Sequence, residues 1–229
     1  MDIRDDTRWW PVGFDTLPRF DTLRRIGAEA QALAATALAM PLRPLAAQVS
    51  FDPSAPHPVP VVFVHGFLGD PSNFVVLRRF LHRQGIWNSA TFAYGPRIDY
   101  QRLVPLLHDQ IADLLRATGA PCVDVVGHSL GGLVGRCLAQ SEHGDLVRRL
   151  VTLGAPYFVH PYPEQELAIF GGFDALVPSP SESTLHTRTL TVPSCGHLGL
   201  LYHPTVLRRV ARFFTQASFS REDRIQRAA

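Results

Sequence analysis

The sequence predicts an α/β fold in which one open, mostly parallel sheet of about six strands carries helices on both faces. Short apolar runs rich in β-branched residues alternate along the chain with longer segments of helical periodicity, as in strand–helix–strand units. These runs are apolar almost throughout, which is typical of parallel strands that are covered on both sides. The chain has 229 residues, 46% of them hydrophobic, enough for one sizeable core.

The predicted elements of this sheet follow one another from residue 58 onward. The six predicted strands lie in the segments PVVFVHG, ATFAYG, PCVDVVGHS, RRLVTLGAP, ELAIFGGFD and TRTLTVPSCGH. Helical patterns predict helices over residues 73–84, 103–118, 132–140 and 205–216. We therefore expect a catalytic domain over residues 58–216 and a polar C-terminal tail over residues 217–229.

Residues 1–57 are predicted to form a helical extension and a proline-rich linker. The stretch 17–47 is rich in Ala, Leu, Gln and Arg and favours a helix until Pro41 and Pro44 end it. An amphipathic helix that packs on the body or on a membrane surface fits this stretch; a disordered leader is the third alternative. The segment DPSAPHPVP reads as an extended linker, with His57 exposed to solvent.

Composition excludes several classes of function. The 22 basic and 20 acidic residues are scattered and give a net charge of only +2, so we expect no nucleic-acid partner. All the basic residues are Arg, which excludes Schiff-base chemistry and a P-loop lysine. The isolated Cys122, Cys137 and Cys195 are expected to be small buried side chains, without a disulfide framework or a thiolate metal site.

The motif GHSLG over residues 127–131 is the strongest chemical signal in the sequence. It follows the apolar run CVDVV and precedes the apolar helical pattern LVGRCLAQ, which is the strand–turn–helix setting of a nucleophile elbow. Glycines allow the strand and the helix to approach closely at such a turn. Ser129 is therefore the candidate nucleophile, at the start of a helix whose free N–H groups favour a developing oxyanion.

A serine nucleophile needs a base, and the base needs a carboxylate. His197 follows the last predicted strand, whereas His203, six residues later, is the main competitor. Asp174 follows the strand ELAIF and gives the chain order Ser, Asp, His that this kind of sheet uses. The competing acids are Glu164 and Glu166, which precede that strand, and Glu182, which falls in a polar loop. His186 precedes the last strand and is expected at the wrong end of the sheet. The patterns around five further histidines indicate surface, linker or loop positions: His57, His82, His108, His143 and His160.

The run VVFVHGFLG predicts an oxyanion hole beside the nucleophile. Its strand ends in His-Gly-Phe, and the backbone N–H of Phe67 is expected to act together with that of Leu130. His65 is expected to support this loop through hydrogen bonds. Because both donors are main-chain groups, substitution of their side chains tests geometry rather than chemistry.

These segments resemble the α/β-hydrolase superfamily and, within it, the small lidless lipases of the bacilli type. The resemblance covers about residues 59–214 and rests on VVFVHGFLGDPSNF, CVDVVGHSLGG, RRLVTLGAP and above all CGHLGLLYHPTV. It implies a minimal α/β-hydrolase that hydrolyses carboxylic esters, including acylglycerols and other lipids, without a metal or organic cofactor. The implied roles fall on Ser129, Asp174 and His197, with oxyanion donors at Phe67 and Leu130.

The expected site is open to solvent. Only ten residues separate Pro156 from Leu167, where larger relatives insert a cap, so we expect activity on soluble short-chain esters without a jump at a lipid interface. Apolar side chains expected to line the acyl groove are Leu68, Phe74, Tyr157 and Phe158.

The resemblance leaves three points open. An acyl-thioesterase or acyltransferase would use the same residues, and a non-catalytic binding module is the alternative from another class. The start MDIRDDTRWW lacks the pattern of a secretory signal, which favours a cytoplasmic or membrane-associated protein, with peripheral membrane contact through the N-terminal helix. Secretion is the alternative that the resemblance implies.

Overall fold

A parallel sheet of six strands forms the centre of the molecule in the described residues. The structure is a computed structural model that describes residues 19–46, 49–95, 99–157, 163–180 and 188–216. The strands lie side by side in the order β2-β1-β3-β4-β5-β6, and each neighbouring pair is parallel. They are β1 (Val61–Val64), β2 (Ser89–Phe92), β3 (Val123–His128), β4 (Val147–Leu153), β5 (Glu166–Gly171) and β6 (Thr189–Val192).

Six α-helices accompany the sheet within the same residues. They are α1 (Arg19–Ala39), α2 (Arg43–Ala46), α3 (Val75–Arg83), α4 (Tyr100–Thr118), α5 (Leu130–Ala139) and α6 (Pro204–Thr215). Each predicted strand and helix of the catalytic region is present, with shifts at the ends. The largest consequence of such a shift is at α5, which begins directly after Ser129 rather than at residue 132.

The core lies on both faces of the sheet because successive strand side chains alternate between two apolar clusters. In β1, Val61 and Phe63 belong to the first cluster, and Val62 and Val64 to the second. Helices α3 and α6 cover the first cluster, whereas α4 and α5 cover the second. The predicted α/β fold with helices on both faces is thereby confirmed.

The parallel arrangement brings the candidate site residues to one edge of the sheet. The carboxyl ends of β3, β5 and β6 lie at the same edge because every neighbouring pair of strands is parallel. Ser129 follows β3, Asp174 follows β5 and His197 follows β6. Ligands of open α/β sheets bind at this edge, so the topology alone makes it the place for a site.

Two alanines of the N-terminal helix pack on the body, whereas two of its leucines are exposed. Helix α1 ends at Ala39, and Pro41 lies in a 3-10 turn (Met40–Leu42) that leads into α2. Ala32 and Ala39 are buried, whereas Leu33 and Leu38 are 60% and 79% exposed. No helix of the described residues is both long enough and apolar enough to cross a bilayer.

The proline-rich segment before β1 is fixed to the sheet, which differs from the exposed linker that the sequence predicts. Ser50 forms a two-way backbone bridge with Ser89 of β2, with both N···O distances at 2.8 Å. His57 is buried, and its Nε2 lies 3.0 Å from Oδ2 of the fully buried Asp124. Arg148 Nε donates to the other oxygen of Asp124 at 2.9 Å. The expectation that His57 is solvated is therefore wrong. A buried carboxylate needs hydrogen-bond donors, and His57 is buried because it lies beside Asp124 as one of them.

Candidate active site

Ser129 occupies a sharp turn between β3 and α5. Its φ of 52° and ψ of −122° lie in a region that residues with a side chain rarely adopt. A Cβ on Gly131 would lie 2.1 Å from the Val64 carbonyl oxygen, and one on Gly127 would lie 2.5 Å from that of Gly131. The glycines of the motif therefore permit the close approach of β1, β3 and α5 that the turn requires.

The loop after β1 contacts Ser129, the candidate nucleophile. A Cβ on Gly66 would lie 3.0 Å from the Ser129 Cβ, so a side chain at this position would press against the serine. The Gly69 N–H donates to the Gly66 carbonyl oxygen at 3.0 Å, and Leu68 between them has a φ of 58°. This tight turn holds Phe67, which is 44% exposed, next to Ser129.

His65 supports that loop from beneath. Its Nδ1–H donates to the Gly66 carbonyl oxygen at 2.9 Å, and its ring stacks on Tyr94 with 4.2 Å between the centroids. The Tyr94 hydroxyl donates to the His65 carbonyl oxygen at 2.6 Å. Burial lowers the pKa of His65, which favours the neutral ring, whose Nε2 can accept the Tyr94 N–H at 3.4 Å. The contacts agree with the supporting role expected for this residue.

His197 and Asp174 form a buried pair at the same edge of the sheet. Nδ1 of His197 lies 2.7 Å from Oδ2 of Asp174, and since a carboxylate only accepts, Nδ1 carries the proton. The other Asp174 oxygen accepts the backbone N–H groups of Leu176 at 2.9 Å and Val177 at 2.8 Å. These bonds fix the carboxylate, leaving Nε2 of His197 as an acceptor.

Gly154, which follows β4, lies against this pair. Its φ is 56°, and a Cβ there would lie 3.0 Å from Oδ2 of Asp174 and 3.2 Å from Nδ1 of His197. The N–H of Ser129 donates to the carbonyl oxygen of Leu153, the residue before this glycine, at 2.8 Å. The end of β4 therefore links the Ser129 turn to the His197–Asp174 pair.

Two residues near His197 are not identified by the sequence reasoning. His128, inside the GHSLG motif, is buried against the His197 ring, and the Glu29 carboxylate accepts backbone N–H groups just after His197. Burial, and to a smaller degree the neighbouring His197, lowers the pKa of His128 to about 3. The sequence around His197 gives one signal for such a contact: Gly196 and Gly199 have no side chains and leave space for another group. It does not indicate that this group is Glu29.

The expected groove residues occupy different environments. Leu68 is 76% exposed in the loop that contacts Ser129 through Gly66, whereas Phe74 is fully buried in the core, with its ring 5.1 Å from that of Phe63. Tyr157 is half-buried, with its ring edge-on to Phe170. Phe158 lies outside the described residues. Leu176, two residues after Asp174, is 76% exposed and adds an apolar side chain that the sequence reasoning did not include.

The competing site residues have other partners where the structure describes them. Glu166 accepts from Nε of the fully buried Arg136 at 2.9 Å and from its Nη2 at 2.7 Å, at the opposite end of β5 from Asp174. His203 caps α6, where its Nδ1 accepts the Thr205 N–H at 3.2 Å. Glu182 lies outside the described residues. Glu166 and His203 are thus held in structural contacts.

The three cysteines are free thiols. Cys195 is buried, and Cys122 and Cys137 are partly buried. Burial raises the pKa of all three, to about 11 for Cys137 and about 12 for Cys195. These thiols are therefore protonated at neutral pH, when they are poor nucleophiles.

Comparison with known proteins supports the same fold. A sequence model of the alpha/beta hydrolase fold matches residues 59–179. A predicted CIB-like hydrolase from Thermoplasma acidophilum is similar, with a TM-score of 0.57 and 16% identity, over 70% of this chain and 87% of its own. A putative aryl esterase from Burkholderia cenocepacia is also similar, with a TM-score of 0.53 and 16% identity. That match covers 72% of this chain and 92% of the esterase.

A third similar structure extends the likeness beyond the catalytic region. It is a membrane phospholipase A, described as a bacterial virulence factor, with a TM-score of 0.55 and 14% identity. The match covers 96% of that protein and 85% of this chain, more than the part of this chain that follows residue 58. At these identities the likeness concerns the fold, whereas the sequence model matches more than half of the chain. The chain belongs to the alpha/beta hydrolase fold family.

Proposed function

We propose that this hydrolase is a serine carboxylic-ester hydrolase that works through an acyl-enzyme. One observation carries the proposal: the strained Ser129 turn, in contact with Gly66, lies at the same sheet edge as the His197–Asp174 pair. Backbone strain at a polar residue is costly and is typical of functional sites. Nucleophile, base and acid are the parts that acyl transfer from an ester requires.

The first half of the reaction forms the acyl-enzyme. Ser129 Oγ attacks the ester carbonyl carbon while Nε2 of His197 accepts the hydroxyl proton. Asp174 remains ionised and stabilises the imidazolium through Nδ1–H. When the tetrahedral intermediate collapses, the bond from carbon to the alcohol oxygen breaks, and Nε2 gives the proton to the departing alcohol.

The second half returns the enzyme to its starting state. Water attacks the acyl carbon, Nε2 of His197 accepts a proton from it, and the bond from carbon to Ser129 Oγ breaks. The proton returns to Ser129 and the carboxylic acid leaves. Each half passes through an oxyanion, for which the backbone N–H groups of Phe67 and Leu130 are the proposed donors. Leu130 begins α5, where N–H groups lack partners within the helix.

The surroundings of the site support an ester with an apolar acyl group. Phe67, Leu68 and Leu176 expose apolar side chains next to the nucleophile turn and the Asp174 loop. Contact of an apolar acyl chain with such surface is favourable by about 25 cal/mol for each Å² of apolar area removed from water. The names of two similar structures, an aryl esterase and a phospholipase A, also point to esters.

Active-site labelling tests this proposal. We expect a fluorophosphonate to modify the wild-type protein at Ser129 and to leave the Ser129→Ala variant unmodified. Ser54→Ala is the matched control, because Ser54 is an exposed serine far along the chain from the GHSLG turn. Folded wild-type protein that is neither labelled nor able to hydrolyse esters would be a binding module, contrary to the proposal.

A substrate panel then defines the reaction class. We expect p-nitrophenyl esters of increasing chain length to be turned over by the wild-type protein and not by Ser129→Ala. Acyl thioesters are the competing substrates because they would use the same three residues. A preference of more than tenfold in kcat/KM for thioesters would replace the ester assignment with a thioesterase.

A further inference from the structure

One face of the N-terminal helix α1 lies along the segment that carries His197. Glu29, Ala32, Thr36 and Ala39 recur at helical spacing, and both alanines are buried. The Thr36 hydroxyl and the Tyr202 hydroxyl form a hydrogen bond of 2.8 Å at one end of the contact. At the other end, the helix reaches the catalytic loop through Glu29.

The Glu29 carboxylate binds the two backbone amides that follow the proposed base. Its Oε1 accepts the Gly199 N–H at 2.8 Å, and its Oε2 accepts the Leu198 N–H at 3.2 Å. A Cβ on Gly196 would lie 2.4 Å from the Glu29 Cδ, and one on Gly199 would lie 2.9 Å from Oε1. The two glycines around His197 thus leave the space in which the carboxylate sits.

This contact completes a set of restraints on His197. Asp174 holds the ring at Nδ1, and His128 donates to the His197 carbonyl oxygen at 3.1 Å. Glu29 binds the N–H of that same peptide group and of the next one, so the backbone directly after the base is held at three atoms. Hydrogen bonds to an ionised acceptor are about twice as strong as neutral ones, which suits a positioning contact.

We propose that Glu29 is a positioning residue for His197, and that helix α1 acts on the proposed base through this one side chain. The inference rests on the proposed role of His197 as general base. Without the carboxylate, the loop over residues 196–199 has two amides without their acceptor and an empty space beside the glycines. The imidazole then spends less time in the geometry that proton transfer from Ser129 requires.

The test compares Glu29→Gln and Glu29→Ala in the full-length protein. Glu29→Gln keeps the shape and one acceptor oxygen but turns an amide NH2 towards the second N–H. We expect kcat and the rate of fluorophosphonate labelling to fall about tenfold for Gln and about 10²-fold for Ala, with KM little changed. The low-field NMR signal of His197 Nδ1–H should exchange faster with water in both variants.

Two control variants separate positioning from simple helix packing. Thr36→Val removes the hydrogen bond to Tyr202 on the same helix face, and Gln31→Ala changes an exposed residue of the same helix. We expect Thr36→Val to lower the Tm and Gln31→Ala to leave it unchanged, with kcat kept in both. If Thr36→Val lowers kcat as much as Glu29→Gln, helix packing is the cause and the positioning role fails.

The remaining outcomes also decide the matter. Active Glu29 variants with wild-type kcat, labelling rate and NMR exchange would overturn the positioning role while leaving the hydrolase proposal intact. An inactive and unlabelled wild-type protein would instead overturn the hydrolase proposal. If Glu29→Ala does not fold, the nearly isosteric Glu29→Gln and the NMR signal still give the answer.

Discussion

The imidazole of His128 lies against that of His197, with 4.7 Å between the ring centroids, and its Nε2–H donates to the His197 carbonyl oxygen at 3.1 Å. A carbonyl oxygen only accepts, so the contact needs His128 with a proton on Nε2. Among the described residues, the buried Nδ1 of His128 has no hydrogen-bond partner. The ring is therefore built into the site in its neutral form, as a support beneath the proposed base.

Neutral burial of His128 should make the protein less stable in acid. The pKa of this ring is lowered from 6.5 to about 3, so the unfolded chain binds a proton below pH 6.5 while the folded protein does not. The contribution of His128 to the free energy of unfolding is thus fully present above pH 6.5 and is lost as the pH falls towards 3. The slope is at most about 1.4 kcal/mol per pH unit.

The variant His128→Gln checks this slope by urea unfolding at several pH values. Gln cannot titrate, so we expect the free energy of unfolding to depend less on pH, by up to about 1.4 kcal/mol per unit between about pH 6 and pH 4. His82→Gln is the control because His82 is exposed on α3. Equal slopes for wild type and His128→Gln would show that the histidine accepts a proton in the folded state.

The strain at Ser129 predicts that two inactive variants of this residue differ in stability. Both Ser129→Ala and Ser129→Gly should abolish turnover, because each lacks the hydroxyl. Glycine tolerates the φ of 52° that strains a residue with a Cβ, so we expect Ser129→Gly to be more stable than Ser129→Ala by about 1 kcal/mol. Chemical denaturation of both variants measures this difference. A glycine variant less stable than the alanine variant would mean that the turn stores no strain.

A methyl group at Gly154 should act as a wedge between acid and base. The Cβ of Gly154→Ala would lie 3.0 Å from Oδ2 of Asp174, so we expect kcat to fall about 10- to 100-fold. Gly119→Ala is a matched control: Gly119 also has a positive φ, 70°, but nothing lies within 4 Å of an added Cβ. Both variants should lose about 1 kcal/mol of stability, and only Gly154→Ala should lose activity. Equal kcat values would exclude crowding of the pair.

The sheet and the Ser129 turn could be predicted because their signals are local. Each strand lies in a short run rich in apolar and β-branched residues, and the glycines around Ser129 reflect contacts that a Cβ would prevent. The role of α1 could not be predicted in the same way. A hydrophobic pattern points to leucines as the buried face, but Ala32 and Ala39 are buried while Leu33 and Leu38 are exposed. Small residues bring this helix close enough for Glu29 to reach the His197 loop.

Long-range polar pairs were missed for a related reason. His57 reads as part of a proline-rich linker, and its partner Asp124 lies 67 positions further along the chain. The one sequence signal is that Asp124 is an acid within the apolar run CVDVV, and such a residue needs a partner when it is buried. That signal shows that a partner exists without identifying it, because pairing across the sheet depends on the fold.

The exposure of apolar side chains at the site predicts how the rate depends on substrate concentration. Leu68 and Leu176 are each 76% exposed, and only ten residues separate Pro156 from Leu167. We therefore expect short-chain p-nitrophenyl esters to be hydrolysed in free solution, with a hyperbolic rate curve that passes smoothly through the solubility limit. Initial rates on both sides of that limit provide the measurement. Little activity below the solubility limit and a sharp rise above it would show that a lipid interface is needed to open the site. The apolar surface of the site would then not be accessible in free solution, contrary to the prediction.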